Sequence, residues 1–443
     1  MSTENQIAKL SAWQGWALML LAATITFLLG VVAASILQRR EEAREKLPLI
    51  TLDPWEADSR KWADNYPRQY ASYQRTADST TRTKYGGSFP RDYLEETPVN
   101  LVLFAGYSFA TEYLQARGHI HSVEDVLKTR RISESTPATC WTCKSTDVPR
   151  LMNSLGPEKF YALPFAELKP QIKHPVGCLD CHEPNTMRLR ITRPALREAF
   201  QRQGKDIDQA SHQEMRSLVC AQCHIEYYFR SPGNYLTLPW ACGMRPEDMD
   251  KYYAHRDFAD WTHGMSKSRM IKIQHPDYEL YSTGIHAYRN VACADCHMPY
   301  RTEGGVKFTN HHVQSPLLNI ADSCGVCHRW PEEEIRRRVE EIQDKVHEVR
   351  ELAESVLAQA HREIAAAAEG GASEEELVPI RMLIRSAQLR WDYVAASNSM
   401  GFHSPQEAMR ILATALELAG ECRVQCARLL NKSPGEVSDQ GDN

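Results

Sequence analysis

The chain has 443 residues, a net charge of −5 and 42% hydrophobic residues. That is enough apolar material for a sizeable core divided over two or three domains. Acidic and basic residues nearly balance, 57 against 52, and no basic stripe exists of the kind that would mark a nucleic-acid partner.

The first feature along the chain is an apolar run from Ala12 and Trp13 to Leu37, with Glu4 and Lys9 before it and Arg39 onward after it. About 20 apolar residues span a bilayer, and the run exceeds the usual apolar region of a secretion signal. Two readings follow: an uncleaved membrane anchor, which we favour, or a signal peptide cut near Val32-Ala33-Ala34-Ser35.

Residues 48–330 are rich in loops, aromatic residues and Pro/Gly punctuation. Ten of the 13 cysteines fall there in five Cys-x-x-Cys pairs. Four pairs run directly into a histidine: Cys178, Cys181 and His182; Cys220, Cys223 and His224; Cys293, Cys296 and His297; Cys324, Cys327 and His328. This is the attachment signature of c-type haem, in which both thiols add to the porphyrin vinyl groups and the imidazole ligates the iron. Zinc sites use cysteine pairs but need no histidine directly after each. The spacing between motifs is irregular, which excludes a repeat array. The domain core is therefore expected to be largely porphyrin, with each motif on a short helix.

The first pair differs, reading Cys140-Trp141-Thr142-Cys143-Lys144. Alone it would be read as a disulfide or redox pair; in this company it is a fifth haem site. Lysine ligates a metal only as the neutral amine, which burial beside the metal favours. One odd ligand among five implies one haem with a different job. Of the remaining cysteines, Cys422 and Cys426 are spaced i, i+4 on an expected helix and are read as packed thiols; Cys242 is unassigned. The haem motifs also decide topology. Arg39, Arg40, Arg44 and Lys46 would put the chain beyond the span in the cytoplasm by the positive-inside rule, but large domains translocate largely regardless of charge. Covalent haem attachment takes place outside the cytoplasmic membrane, so a periplasmic location is expected.

After Pro331 the pattern becomes that of long helices. Ile335, Val339, Ile342, Val346, Val349, Ala353, Val356 and Ala360 form a heptad seam. Gly370-Gly371 ends this helix. Ser373 with Glu376 forms a capping box for a second, to about Asn398. Ser404, Pro405 and Glu407 supply the N-cap, first-turn proline and capping-box partner of a third, to about Leu430. The seam packs either within the chain or against a second subunit; the second reading makes it the interface of a homodimer. The fold class is mainly α, a multihaem cytochrome c domain with a long-helix C-terminal dimerisation domain. The expected division is 1–47 (anchor or signal), 48–330 (catalytic), 331–431 (long helices) and 432–443 (polar tail).

Cys-Trp-Thr-Cys-Lys followed by four Cys-x-x-Cys-His motifs closely resembles pentahaem cytochrome c nitrite reductase, the ammonia-forming enzyme. Further segments carry the likeness: Phe104-Ala105-Gly106-Tyr107, Arg117-Gly118-His119, His224 to Phe229, Lys272 to Pro276, Gly284-Ile285-His286 and Arg390-Trp391-Asp392. The resemblance runs from about Pro54 to Leu430. It implies five covalent haems and six-electron reduction of nitrite to ammonium at the lysine-ligated one. Nitrite is an anion that must lose two oxygens as water, so its pocket needs positive charge and proton donors. Carried over by motif, His275, Tyr227 and Arg131 line that pocket with Lys144 on the other side of the iron; Arg130 is the alternative to Arg131. The other four haems would be bis-histidine, which closes the iron to substrate. Their distal ligands would be His119 for the third haem, His286 for the fifth, His311 for the second, with His312 adjacent to it, and His403 for the fourth. Glu226, Tyr227, Lys272 and Gln274 match the family's calcium site, whose oxygen donors suit a hard cation; a simple Glu226–Lys272 salt bridge is the alternative. The resemblance also implies a membrane-bound tetrahaem quinol dehydrogenase as electron donor. Two other functions stay open: a pure electron carrier, which has no reason to keep one iron accessible, and a related enzyme acting on hydroxylamine, sulfite or tetrathionate.

Overall fold

The computed structural model describes residues 11–44 and 49–431. The expected polar tail 432–443 lies outside the described residues. The chain forms two compact units, one from the N-terminal segment to Thr51 with Thr302–Phe308, the other from Leu52–Arg301 with the chain from Thr309 onward.

The first unit holds helix α1 (Ala12–Arg44). Its stretch Ala12–Arg39 has a mean hydropathy of 2.4 and no buried face. An apolar surface of that length left unburied is long enough to cross a bilayer.

The second unit is helical, and the sheets among the described residues are two-stranded. Its haem motifs lie on short turns. Ala138–Trp141 and Cys324–Val326 are single 3-10 turns, while α2 (Cys178–Cys181) and α5 (Cys293–His297) are short helices. A Cys-x-x-Cys spacing on such a turn puts both thiols on one face. The residues between the thiols make those turns. Asp180 accepts from the Gly177 N–H and Asp295 from the Ala292 N–H, both at 2.7 Å, so each carboxylate satisfies a helix N-terminus. Between these motifs, α3 (His212–Ala221) starts at a Ser211–Glu214 capping box and delivers Cys220 at its end. The turn α4 (Ile285–Tyr288) carries His286. It follows Gly284, where any Cβ would collide with the backbone oxygen of His403.

Three long helices follow: α6 (Glu332–Glu369), α7 (Glu374–Ala395) and α8 (Pro405–Leu430). The Ser373–Glu376 box forms as expected. Helix α7 stops short of the expected Asn398, because Ser397 and Asn398 leave it to hydrogen-bond Asp277. The expected box at Ser404 does not form: its side chain makes no cap bond, and Glu407 pairs with Arg410 instead. The heptad seam packs largely within the chain, with Ile342, Val349 and Val356 left partly exposed. Ile335, Val339, Val346, Ala353 and Ala360 are buried within the chain, and Val346 packs on Gly401 so closely that a Cβ there would meet its methyls at 2.8 Å. The long helices pack onto the rest of the second unit. Trp391, Leu357 and Ala415 share one apolar core with Trp141, Phe104 and Leu218. Cys422 and Cys426 are buried free thiols in that core.

A buried histidine pair joins the long helices to the rest. His263 and His361 stack with centroids 3.7 Å apart. His361 is tied to Ser266 and Gln388, and His263 to the Val102 carbonyl. Burial holds His361 down to about 3 and His263 to about 4. An unfolded histidine titrates near 6.5, so between that value and these the unfolded chain binds protons that the folded one refuses. Stability from this pair is present above pH ~6.5 and is lost as pH falls through the folded values. His361→Gln is expected to flatten the fall in melting temperature of the intact protein between pH 6.5 and 4; a slope equal to that of the wild type would contradict this.

Candidate active site

One continuous cavity of about 2170 Å3 runs through the second unit. This is several times the roughly 300–1,000 Å3 of a pocket for one small ligand. All ten motif cysteines line it, while Cys242, Cys422 and Cys426 do not. The motif cysteines are free thiols, so no disulfide closes any pair, including Cys140 and Cys143.

The histidines lining this cavity meet in pairs. Ring centroids lie 6.4 Å apart for His119 and His224, 6.1 Å for His182 and His311, 6.3 Å for His286 and His328, and 6.3 Å for His297 and His403. These distances are too long for a hydrogen bond between the rings and suit an atom between them. Two imidazoles on one metal at roughly 2 Å, with each ring centre roughly 1 Å behind its nitrogen, stand roughly 6 Å apart. Each pair contains one motif histidine and one of the four remote histidines expected from the resemblance. Several rings are held by their far nitrogen. His182 Nδ1 bonds the Met187 carbonyl, His297 Nδ1 that of Gln314 and His311 Nδ1 that of Thr309, at 2.7–2.9 Å. Such bonds fix ring orientation and leave Nε2 for a metal. His311, and not the adjacent His312, faces His182.

The turn at Cys140–Lys144 has no ring pair of this kind among the described residues. Trp141 anchors it, stacked on Phe165 at 4.0 Å with its N–H donating to the Phe165 carbonyl. Behind it lies Arg193, 1% exposed. Arg193 donates to the carbonyls of Thr142 and Ser145, at 2.9 and 3.0 Å, and pairs with Asp180 at 2.5 Å. Thus one buried guanidinium holds the lysine turn against the next motif. Gln222, inside the third motif, donates to the Asp180 carbonyl, and Arg216 on α3 pairs with Asp295 of the fourth. The variable positions of the motifs are the clamps between them.

Lys144, Arg131, Tyr227 and His275 all line the cavity. Burial pushes the Cys140 thiol up to about 11, countered by the nearby cations Lys144 and Arg131. Arg131 lies over the Phe109 ring at 4.3 Å. Arg130 turns outward, donating to the Thr111 carbonyl and to Glu112. Burial pushes the Tyr227 phenol well above its ordinary value, so it remains an O–H donor. Burial lowers His275, with the hydrogen bond to Asp277 opposing.

The candidate calcium residues also converge. Glu226 is fully buried; its oxygens accept from the Tyr253 hydroxyl at 2.9 Å and the Gln274 N–H at 2.6 Å. Gln274 Nε2 donates to the Lys272 carbonyl. Lys272 does not neutralise Glu226: its ammonium is taken by Asp392 at 2.9 and 3.0 Å. The simple Glu226–Lys272 pair is therefore absent. Burial pushes Glu226 well above the carboxylate range, Asp260 to about 7 and Glu279 to about 8. One Glu279 oxygen is buried with no partner. Glu226 and Glu279 are buried and Asp260 is half-buried; the Glu226 carboxylate beside the Lys272 carbonyl and the Gln274 amide is the kind of oxygen donor a hard divalent cation takes. Asp260 and Glu279 went unnoticed in the sequence, as did Asp277, although Asp277 stands two positions after His275.

The model of the cytochrome c552 family matches residues 58–440. The cytochrome c-552 of Porphyromonas gingivalis is 47% identical over 439 residues, covering 96% of this chain and 88% of the relative. That of Parabacteroides distasonis is 48% identical over 433 residues, with the same coverage. Among solved structures, a cytochrome c nitrite reductase catalytic subunit from Desulfovibrio desulfuricans, with two calcium sites, aligns with a TM-score of 0.83 and 33% identity over 88% of this chain and 90% of that one. With its cysteine motifs, histidine pairs and single long cavity, the chain belongs to the cytochrome c552 family, that of the multihaem cytochrome c nitrite reductases.

Proposed function

We propose that the chain reduces nitrite to ammonium at a lysine-ligated c-type haem, fed by four bis-histidine haems. The observation that carries this reading is the contrast between four histidine pairs at 6.1–6.4 Å and one motif without such a partner, whose cysteines and lysine lie within electrostatic reach of Arg131, Tyr227 and His275. Covalent haem supplies one-electron chemistry and, where one axial position is open, a site for substrate. The chain's own residues do the rest. Lys144 would hold the iron of that haem from one side. Arg131 attracts and orients the anion. Tyr227 and His275 donate protons to the departing oxygens.

Thiol contacts support an electron path. Cys143 lies beside Cys223 and Cys220 beside Cys293, each pair within hydrogen-bonding reach. Cys296 is close enough to Cys324 to feel its charge, as is Cys181 to Cys223. The motifs thus run from fifth to fourth to third to first, with the second beside the third. A membrane-bound tetrahaem quinol dehydrogenase is the donor we propose. The apolar α1 supports an anchor that holds the enzyme on the periplasmic face of the membrane. Exposed Leu352, Val378, Met382 and Val424 on α6, α7 and α8 support a homodimer through these faces in place of the buried seam.

Glu226, Gln274 and the carbonyls of Tyr227 and Lys272 would hold one calcium ion next to the pocket. Glu226→Gln is expected to lose one equivalent of calcium and to lower nitrite turnover roughly 10-fold, with haem content unchanged. Metal analysis and pyridine haemochrome assay check this; retained calcium would contradict it. The function itself is tested with nitrite, hydroxylamine and sulfite in parallel under anaerobic reduced dye. Nitrite is expected to be the best substrate. No turnover of any of the three by fully haem-loaded protein would favour an electron carrier.

A further inference from the structure

The imidazole anchors around the cavity are not alike. His182, His297 and His311 turn Nδ1 to neutral backbone carbonyls. His224 instead turns Nδ1 to a carboxylate, Asp277 Oδ2, at 3.1 Å. The same oxygen lies 3.3 Å from His275 Nδ1 and accepts from Asn398 Nδ2 at 2.9 Å. The other oxygen accepts from the Asn398 N–H at 2.8 Å and the Ser397 hydroxyl at 3.2 Å. Asp277 is 7% exposed. Ligand atoms of His224, His275 and Asp277 lie within 4.8 Å of one another, close enough to hold a metal ion, but both imidazoles and the Asn398 amide already converge on Oδ2, and the same amide reaches His275 Nδ1 at 3.3 Å.

We infer that Asp277 is a positioning residue shared by two sites. It fixes His275 with Nε2 toward the pocket, and the same oxygen raises the basicity of His224, the axial ligand of the neighbouring haem. This rests on the function proposed above. A carboxylate on the far nitrogen of an axial imidazole makes it a stronger donor and stabilises the oxidised iron, whereas a carbonyl does so less. The haem held by His224 is therefore set apart in potential from those held by His182 and His297. Asn398 restrains the effect by drawing on the same oxygen. The loop after α7 thus tunes a haem that it does not ligate.

Two variants of the full haem-loaded protein test this in opposite directions. Asp277→Asn removes the charge, so the potential of the His119/His224 haem is expected to rise. The kcat for nitrite is expected to fall about 10-fold, with KM changed by less than about 3-fold. Asn398→Ala removes a competing donor, leaves more of Oδ2 to His224, and is expected to lower the same potential. Spectroelectrochemistry that resolves the individual low-spin haems reads both shifts. Opposite shifts confined to that haem would support the inference. No shift, or shifts of one sign in both variants, would overturn it. Wild-type protein that lacks a low-spin haem with His119 and His224 as ligands would overturn the functional reading itself, a separable result.

Discussion

His275→Ala is expected to lower nitrite turnover by roughly 10²-fold, the low end of what a positioned proton donor contributes, with the haem content unchanged. His275 reaches the cavity from a segment held by backbone and Asp277 contacts, so truncating its ring leaves a space without unfolding the site. Loss of a donor used only as the oxygens depart would lower kcat and kcat/KM together; a rise in KM alone would make His275 a binding group. Steady-state kinetics with nitrite distinguishes the two. Burial keeps the Tyr227 hydroxyl protonated, and in the proposed function it would account for the residual rate.

Arg193→Met carries the largest expected effect on stability. Its guanidinium is 1% exposed, paired with Asp180 and bonded to two carbonyls of the lysine turn. Removing one partner of a buried pair leaves the other charge uncompensated and costs about 3–5 kcal/mol. The Thr142 and Ser145 carbonyls lose their donor as well. The loss is expected to show as a lower melting temperature and as missing haem at Cys140 and Cys143, whose turn Arg193 braces. Full haem content with unchanged melting would contradict the clamp. Arg193→Lys retains the charge but not the fork that spans both carbonyls, and is expected to recover only part of the stability.

Much of the cavity was legible in the sequence because haem attachment is local chemistry: two thiols and a ligand within five residues. The remote histidines were legible only through the likeness of short segments such as Arg117-Gly118-His119. What escaped the sequence depends on tertiary proximity. Asp277 and Asn398 are 121 positions apart, and nothing in either neighbourhood announces that they share hydrogen bonds. The choice between Arg130 and Arg131 rests on which way the chain turns beside Glu112, again a tertiary fact. The heptad seam was correctly placed on a helix with its partner left open, since periodicity gives the apolar face and not what covers it. At Ser404 the capping residues are present, yet Arg410 claims Glu407 and the box is lost, a local preference overridden by an ion pair that also takes in Glu247.

In the proposed function, six-electron nitrite reduction takes place at the lysine-bearing motif. Its most direct test is anaerobic turnover of haem-loaded protein with a reduced dye, counting ammonium formed against electrons consumed, in wild type and Lys144→His. Six electrons per ammonium are expected for wild type. For Lys144→His a sharp loss of ammonium formation is expected, with the four histidine-paired haems still reduced by the dye. Wild-type rates from Lys144→His, or electrons consumed with no ammonium formed by the wild type, would contradict the proposed function.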